Sequence, residues 1–155
     1  MKVKEIMTSP VVTVDVSTPI GDVARTLVAH RISAVPVLDG SGAVVGIVSE
    51  HDLISRSGKV AADIMSKGVI SVTEETDVDD VRHLLLDRRI RRVPVVSGGK
   101  LIGIVSRADL VALIAMEWVC DVCGTQARGE HPPQSCPTCA ADGTHFVHQP
   151  QPPGL

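Results

Sequence analysis

The stretch IMTSPVVTV at residues 6–14 returns 58 positions later as IMSKGVISV at residues 64–72. Two more pairs of similar segments follow in the same order: RISAVPVLD (31–39) with RIRRVPVVS (89–97), and GIVSEHDL (46–53) with GIVSRADL (103–110). Three segments repeated in order indicate a duplicated unit. A unit of about 50 residues buries too little surface to be comfortably stable alone. Residues 1–116 are therefore predicted to form two halves that share one core.

Each unit carries the pattern of a β-α-β-β-α fold. In the first unit, short apolar runs predict strands at Val11–Val14, Val35–Leu38 and Val44–Val48. Apolar residues at helical spacing from Ile20 predict a helix after the first strand, and a closing helix is predicted from Glu50. The second unit repeats this order, with strands at 69–72, 93–96 and 101–105 and a closing helix from Arg107. The predicted fold class is α+β, with an α/β-like arrangement of two pseudo-twofold units.

The composition separates this module from the rest of the chain. There are one Trp, one Phe and no Tyr, and both aromatic residues, Trp118 and Phe146, follow the module. The core before them must be aliphatic. A length of 155 residues excludes a large multidomain enzyme, and a formal net charge of −3 argues against binding nucleic acid or a membrane through bulk charge. Because neither a membrane span nor a signal-peptide core is present in the sequence, a cytoplasmic protein is expected.

Both units end their third strand on one motif: Gly, two aliphatic residues, Ser, two variable residues and Asp. Ser49 and Ser106 are placed to cap the following helix, and Asp52 and Asp109 lie one turn further. Such a carboxylate can accept both hydroxyls of a ribose, and the first helical turn can hold a phosphate. The same residues fit a capping box, which needs no ligand. The motif occurs on both halves of a module, and these halves would form a cleft between them, which favours a ligand. Ligand binding and helix capping both remain open as roles of the motif.

Residues 3–116 resemble a tandem pair of CBS domains, the regulatory module named after cystathionine beta-synthase, on the three repeated motifs quoted above. The resemblance implies a disc with two clefts that bind adenosine-containing ligands such as AMP, ATP or S-adenosylmethionine, and association of discs into a homodimer. It implies one cleft at Ser49 and Asp52 and another at Ser106 and Asp109, with three further positions near base or phosphate: Ser33, Arg91 and Arg92.

The cluster RRIRR at residues 88–92 stands out in an acidic chain. An arginine fork matches phosphate oxygens, whereas arginine at the end of a helix interacts with the helix dipole. We expect Arg88 and Arg89 to be structural and Arg91 or Arg92 to face a ligand.

Four cysteines, Cys120, Cys123, Cys136 and Cys139, form two C-x2-C pairs. Four thiolates complete the shell of one tetrahedral ion. Two disulfides in such short loops would be strained, and a thioredoxin-type pair is disfavoured because the pairs come as two without the flanking strand and helix. A region of about 30 residues cannot bury enough apolar area, so the metal is expected to contribute much of its folding free energy.

The segment at residues 118–146 resembles the rubredoxin-type domain at the end of rubrerythrins and, more broadly, a zinc ribbon. The shared features are the four cysteines together with Trp118, Gly124, Pro133, Pro137 and Phe146. Thr125 stands where redox-active rubredoxins often have an aromatic residue. The resemblance implies one zinc or iron ion, and the thiolate set accepts both.

The domains are predicted at residues 1–58, 59–116 and 117–148, with a disordered tail at 149–155. The chain is expected to be a non-enzymatic regulator that binds an adenosine-containing ligand and acts on its metal domain or on a protein partner. The alternatives are electron transfer by iron and docking by a zinc ribbon. Nucleic acid is disfavoured because residues 117–155 carry Arg128 alone against four acidic residues.

Overall fold

The computed structural model describes residues 1–148 and divides the chain into two compact units. The first is Met1–Ser106, and the second begins at Arg107. The tail predicted to be disordered lies outside the described residues. The domain boundaries predicted from the repeat remain predictions. No helix within residues 1–148 is long and apolar enough to cross a membrane.

The first repeat forms a three-stranded sheet in the order β1 (Val14–Asp15), β2 (Ala34–Leu38) and β3 (Val44–Ser49). β1 runs parallel to β2, and β2 runs antiparallel to β3. A parallel pair needs a crossover connection, which helix α1 (Ile20–His30) supplies. Helix α2 (Glu50–Ser55) follows β3 directly.

The second repeat begins with the short helix α3 (Ala61–Ile64) and uses the same sheet order. Its elements are β4 (Val72–Thr73), α4 (Val78–Asp87), β5 (Arg92–Ser97) and β6 (Lys100–Ser106), followed by α5 (Arg107–Ala115) in the second unit. The structure thus confirms the mixed helix and strand fold of two similar units.

The first strand of each repeat is shorter than predicted and begins later. Only Val14 and Asp15 pair with β2 in the first repeat, and only Val72 and Thr73 pair with β5 in the second. Val12 instead packs, half-buried, against the core. An apolar run therefore predicts which residues are buried in the core, but it does not predict which of them pair with a neighbouring strand.

The cores of both repeats are built from aliphatic side chains. In the first, Val23 and Leu27 of α1 pack with Val35, Val37 and Val48 of the sheet, and all five are buried. The second has matching buried residues, Val81, Leu85, Val93, Val95 and Val105. Each such side chain contributes about 1.5–3 kcal/mol on burial, so branched aliphatics suffice without rings.

The two repeats exchange their N-terminal segments. Val3 is fully buried, and its N–H donates to Thr76 O over 2.9 Å in the second repeat. Thr8 pairs with Ile104 of β6. The corresponding segment of the second repeat behaves in the same way, because Ser66 pairs with Ile47 of β3. Each repeat thus completes the other, which explains why a single repeat would not be a folding unit.

A methionine from each exchanged segment packs against a glycine of the opposite repeat. A Cβ added at Gly46 would collide with the side chain of Met65, and one at Gly103 would collide with Met7. The methionine of each IMTSP or IMSKG segment therefore packs against the glycine of the GIVS motif in the other repeat.

The second unit continues from α5 into a small sheet in the order β8 (Gln126–Arg128), β7 (Glu117–Cys120) and β9 (Phe146–His148). Both pairings are antiparallel. Trp118 stacks on His148 with ring centroids 4.0 Å apart, and its Nε1 donates to Gly129 O over 2.9 Å. The short strands and two buried cysteines form the small rubredoxin-like region.

Candidate nucleotide cleft and metal centre

Ser49 and Asp52 form the capping box that their spacing predicts. The Ser49 N–H donates to Asp52 Oδ2 over 2.9 Å, and the Asp52 N–H donates to Ser49 Oγ over 3.2 Å. A third contact joins Ser49 Oγ and Asp52 Oδ2 over 3.0 Å. The Asp52 side chain is only 6% exposed. The structural role of the motif is therefore realised, and the ribose contact remains a prediction.

Two more residues, Ser66 and Arg56, cover the Asp52 carboxylate. Ser66 Oγ comes from the exchanged segment of the second repeat and donates to Asp52 Oδ1 and Oδ2 over 3.3 and 3.4 Å. Arg56 Nε lies 3.6 Å from Asp52 Oδ1. The guanidinium also donates to the carbonyls of Ile64 and Met65 over 3.4 and 3.3 Å. The carboxylate thus holds part of the second repeat against α2.

Arg92 carries a half-buried guanidinium where the two repeats meet. Its Nη2 donates to Ser33 Oγ over 2.6 Å, and the Ser33 carbonyl accepts from the N–H of Glu50 over 2.9 Å. Burial and the neighbouring Arg91 lower the pKa of Arg92, whereas Glu50 raises it. A partly desolvated guanidinium at this position has the chemistry to bind a phosphate.

The remaining predicted cleft residues lie in or beside the second repeat. Ser106 ends β6 as the register partner of Arg92, and Asp109 lies in the first turn of α5. Both are half-buried, whereas Arg91 is exposed. Among the predicted cleft residues, the described contacts join Ser49 with Asp52 and Ser33 with Arg92.

An apolar groove of about 670 Å³ runs between α1 and α2. Its apolar lining includes Leu27, Val28, Ile32, Leu53 and Ile54. Ser33 and Glu50 lie at the same groove, which does not include Ser49, Asp52 or Arg92 among its described lining residues. The groove thus adjoins the predicted nucleotide residues, shares Ser33 with them and has a mostly hydrophobic lining.

The four cysteines converge at one point in the second unit. Their Sγ atoms all lie within 4.8 Å of one another. The Sγ atoms of Cys120 and Cys139 are 3.7 Å apart, and those of Cys123 and Cys136 are 3.5 Å apart. A tetrahedral ion with metal–sulfur bonds of about 2.3 Å places sulfurs about 3.8 Å apart. The cluster therefore fits one zinc or iron ion.

Two similar backbone turns present the thiols. The N–H of Gly124 donates to Cys120 O over 2.8 Å, and that of Ala140 donates to Cys136 O over 2.9 Å. Gly124 has φ 77° and Ala140 has φ 60°, which is the left-handed conformation in both turns. The first cysteine of each pair is buried and the second is exposed. Each turn thus supplies one inner and one outer ligand.

Local hydrogen bonds polarise the thiols. The N–H groups of Cys139 and Thr138 donate to Cys136 and lower its pKa to about 6. The Thr125 hydroxyl and N–H lower the pKa of Cys123. The Ala141 N–H lowers the pKa of Cys139, but burial and the neighbouring thiols raise it more strongly, to about 12. Thiolates therefore form readily on part of the cluster, and a cation stabilises ionisation of the rest.

The sequence model of the CBS domain matches residues 3–59 and 60–116, which together make up well over half of the chain. The chain belongs to the CBS domain family. A second model, that of the rubrerythrin rubredoxin-like domain, matches residues 118–147. The protein therefore combines a CBS pair with a rubredoxin-like region that has a four-cysteine metal site.

Relatives of the CBS pair include proteins with bound adenosine compounds. YlbB of Bacillus subtilis is 33% identical over 70% of this chain and 79% of its own length. CBSX2 of Arabidopsis thaliana, solved in complex with AMP, is 33% identical, with a TM-score of 0.68 over 72% of this chain and 93% of that one. The CBS pair of MJ0100, solved with 5′-methylthioadenosine and S-adenosyl-L-methionine, is 30% identical, with a TM-score of 0.70 over 74% and 96%.

Sequence reasoning missed the residues that cover Asp52 from outside its own motif. Ser66 belongs to the repeated IMS segment, and the first segment of each CBS domain pairs with the GIVS strand of the other domain. The repeated motif does not show which of the two strands its segment joins. Arg56 is not part of a repeated pattern, since the second CBS domain has Leu113 at the matching position.

Proposed function

We propose that this chain is a non-enzymatic regulatory protein whose CBS pair binds an adenosine-containing ligand. The observation that carries the proposal is similarity of at least 30% identity, along the whole CBS pair, to CBSX2 with AMP and to MJ0100 with adenosine compounds. Ser33 and Arg92 support it, because they bring a serine hydroxyl and a guanidinium from the two CBS domains together beside the start of α2.

We assign Arg92 and Ser33 to the phosphate or base, and Asp52, positioned by Ser49, to the ribose hydroxyls. The second cleft takes Arg91, Ser106 and Asp109 in the matching roles. AMP, ATP and S-adenosylmethionine share the adenosine part and differ in the charge that Arg91 and Arg92 would meet.

Isothermal titration calorimetry with AMP, ATP and S-adenosylmethionine tests this assignment. The wild-type chain is expected to bind at least one of them at micromolar concentration, and the double variant Asp52→Ala/Asp109→Ala is expected to lose binding. Asp79→Ala is the matched control, since Asp79 is an exposed acid in the first turn of α4. Equal binding by the double variant and the wild type would show that these carboxylates are not the ribose ligands.

The four cysteines are proposed to hold one zinc or iron ion that stabilises the second unit. Bound zinc would supply a structural tetrahedral centre, whereas bound iron would supply one-electron chemistry. Trp118, Phe146 and the buried Cys120 and Cys136 provide the small core that surrounds the centre. Ligand binding in the CBS pair would then be passed to this domain or to a protein partner.

Electron transfer is the second candidate function, and the match to the rubredoxin-like domain of rubrerythrin favours it. It requires iron at the four-cysteine site. Protein purified from iron-replete cells would then be red, with thiolate-to-iron absorption in the visible range. A colourless protein with one zinc ion per chain from the same cells would exclude this candidate and retain the regulatory one.

A homodimer through the CBS pair is also proposed. Val28 on α1 and Leu86 on α4 occupy matching repeat positions and are 79% and 59% exposed. Ile54 on α2 and Val111 on α5 match in the same way, at 87% and 63% exposed. Apolar side chains exposed at equivalent positions of both repeats suit burial against a second copy.

Light scattering after size-exclusion chromatography tests the dimer. The wild-type chain is expected to elute as a dimer, and Ile54→Glu is expected to elute as a folded monomer. Arg25→Glu, on an exposed part of α1, is the control that keeps the dimer. A monomeric wild-type chain at micromolar concentration would refute the proposal.

A further inference from the structure

The Asp52 carboxylate is buried, yet two of the side chains that cover it are exposed. The Asp52 side chain is 6% exposed, while that of Arg56 is 51% exposed and Ser66 is also exposed. Its other contacts come from Ser49, inside the capping box. A ligand approaching from solvent would therefore meet Ser66 and Arg56 before it reached the carboxylate.

We propose that Ser66 and Arg56 form a latch that competes with the ribose of an adenosine ligand for Asp52, so that the first cleft opens only when the latch is released. This inference rests on the proposed function and names a regulatory step at the same site. The latch is defined as Asp52, Arg56 and Ser66.

The hydrogen-bond capacity of Asp52 gives the physical basis for competition. A carboxylate has about four acceptor positions, and that of Asp52 accepts from three donors: the Ser49 N–H, the Ser49 hydroxyl and the Ser66 hydroxyl. Arg56 Nε, 3.6 Å from Oδ1, adds an ion pair that is longer than a hydrogen bond. Two ribose hydroxyls can be accepted only if at least one donor leaves. The capping N–H of Ser49 cannot leave without unwinding α2, so the donor that exchanges is Ser66, and Arg56 would lose its ion pair with Asp52.

Release of the latch would also free a connection between the CBS domains. Ser66 lies in the segment that joins β3, where its N–H donates to Ile47 O over 2.9 Å. Arg56 holds the same segment through the carbonyls of Ile64 and Met65. Ribose binding at Asp52 would therefore loosen the residues that lead into the second CBS domain, which is a route from ligand to conformational change.

The two repeats differ at the position of Arg56. In the repeat alignment, Thr8 matches Ser66, but Leu113 matches Arg56. Leucine has no donor, so Leu113 cannot take the role that Arg56 has in the first repeat.

Calorimetry in an Asp109→Ala background isolates the first cleft. The probe is 5′-methylthioadenosine, which has the ribose hydroxyls but no phosphate, so the lost charge of Arg56 does not change the attraction of a phosphate. Ser66→Ala is expected to tighten binding between about 2-fold and about 10-fold, the value of one competing hydrogen bond. Arg56→Leu is expected to tighten it by up to about 5-fold, the value of an exposed ion pair. Ser57→Ala and Arg25→Leu are the matched controls and are expected to leave the dissociation constant unchanged.

Hydrogen exchange provides a second measurement, whose result would not depend on ligand if Ser66 and Arg56 had a purely structural role. Saturating ligand is expected to speed exchange of the Ser66 amide in the Asp109→Ala chain, and to have no such effect once Asp52 is also replaced by Ala. A dissociation constant that is unchanged or weaker in both Ser66→Ala and Arg56→Leu would overturn the latch while leaving adenosine binding intact. Failure of the wild-type chain to bind AMP, ATP or S-adenosylmethionine would instead overturn the proposed function itself and the latch with it.

Discussion

Replacing Val3 by Ala tests whether the two repeats depend on their exchanged segments. Val3 is fully buried, and the backbone on either side of its side chain is fixed to the second repeat by the bonds from the N–H groups of Val3 and Lys4 to Thr76 and Glu74. Loss of two methyl groups removes about 1.6 kcal/mol of transfer free energy. The remaining cavity adds up to about 1 kcal/mol, because backbone bonds on both sides limit its collapse. The expected loss is about 2–2.5 kcal/mol.

Urea unfolding followed by circular dichroism at 222 nm measures this loss, since the sole tryptophan lies in the second unit. Lys67→Ala, at an exposed position outside the proposed dimer surface, is the control and is expected to change stability by less than about 0.5 kcal/mol. Trp118 fluorescence is expected to report an unchanged second unit in both variants. A Val3→Ala chain within about 0.5 kcal/mol of wild type would show that the N-terminal segment is not part of the shared core.

Three further predictions concern the metal centre and the first hairpin. Removing the metal with a chelator is expected to change Trp118 fluorescence while leaving the far-ultraviolet unfolding transition of the CBS pair in place; simultaneous loss of both would contradict the two-domain account. Ala140→Gly is expected to stabilise the second unit by up to about 1 kcal/mol because φ is 60° there, and Gly124→Ala to destabilise it by about 1 kcal/mol, both measured by fluorescence-monitored unfolding. The Ser41 hydroxyl and N–H, followed by the Ala43 N–H, lower the pKa of Asp39, so its folded pKa lies below its unfolded value. The stabilising contribution of Asp39 is therefore present above an unfolded pKa of about 4 and is lost as the pH falls through the folded pKa. The difference in free energy of unfolding between wild type and Asp39→Asn should therefore shrink in acid. A difference that is constant from pH 7 to pH 3 would refute this.

The sequence was most informative where a local pattern and a repeat coincide. Helix α1 begins at Ile20 and α2 begins at Glu50, as the apolar spacing and the serine cap predicted. Each cysteine pair closes locally because two residues separate its thiols. The two pairs, up to 19 positions apart, were predicted to converge because one tetrahedral ion takes four thiolates. Such features follow from local spacing or from the known chemistry of a ligand set, which a sequence displays directly.

The contacts that decide the cleft are of a different kind. Ser66 reaches Asp52 across 14 positions, and Arg92 reaches Ser33 across 59. Neither contact follows from periodicity, because periodicity assigns a face to a residue and does not name the segment that covers it. The exchange of N-terminal segments could not be predicted either, since both repeats carry the same motif and each could have packed on its own sheet.

Native mass spectrometry of the purified full chain, titrated with AMP, ATP or S-adenosylmethionine, tests the central claim most directly. The account predicts a folded chain with one metal ion and with adenosine-containing adducts that disappear in Asp52→Ala/Asp109→Ala and persist in Asp79→Ala. A folded wild-type chain that shows no adduct with any of the three ligands would contradict the claim that this CBS pair is an adenosine-ligand sensor.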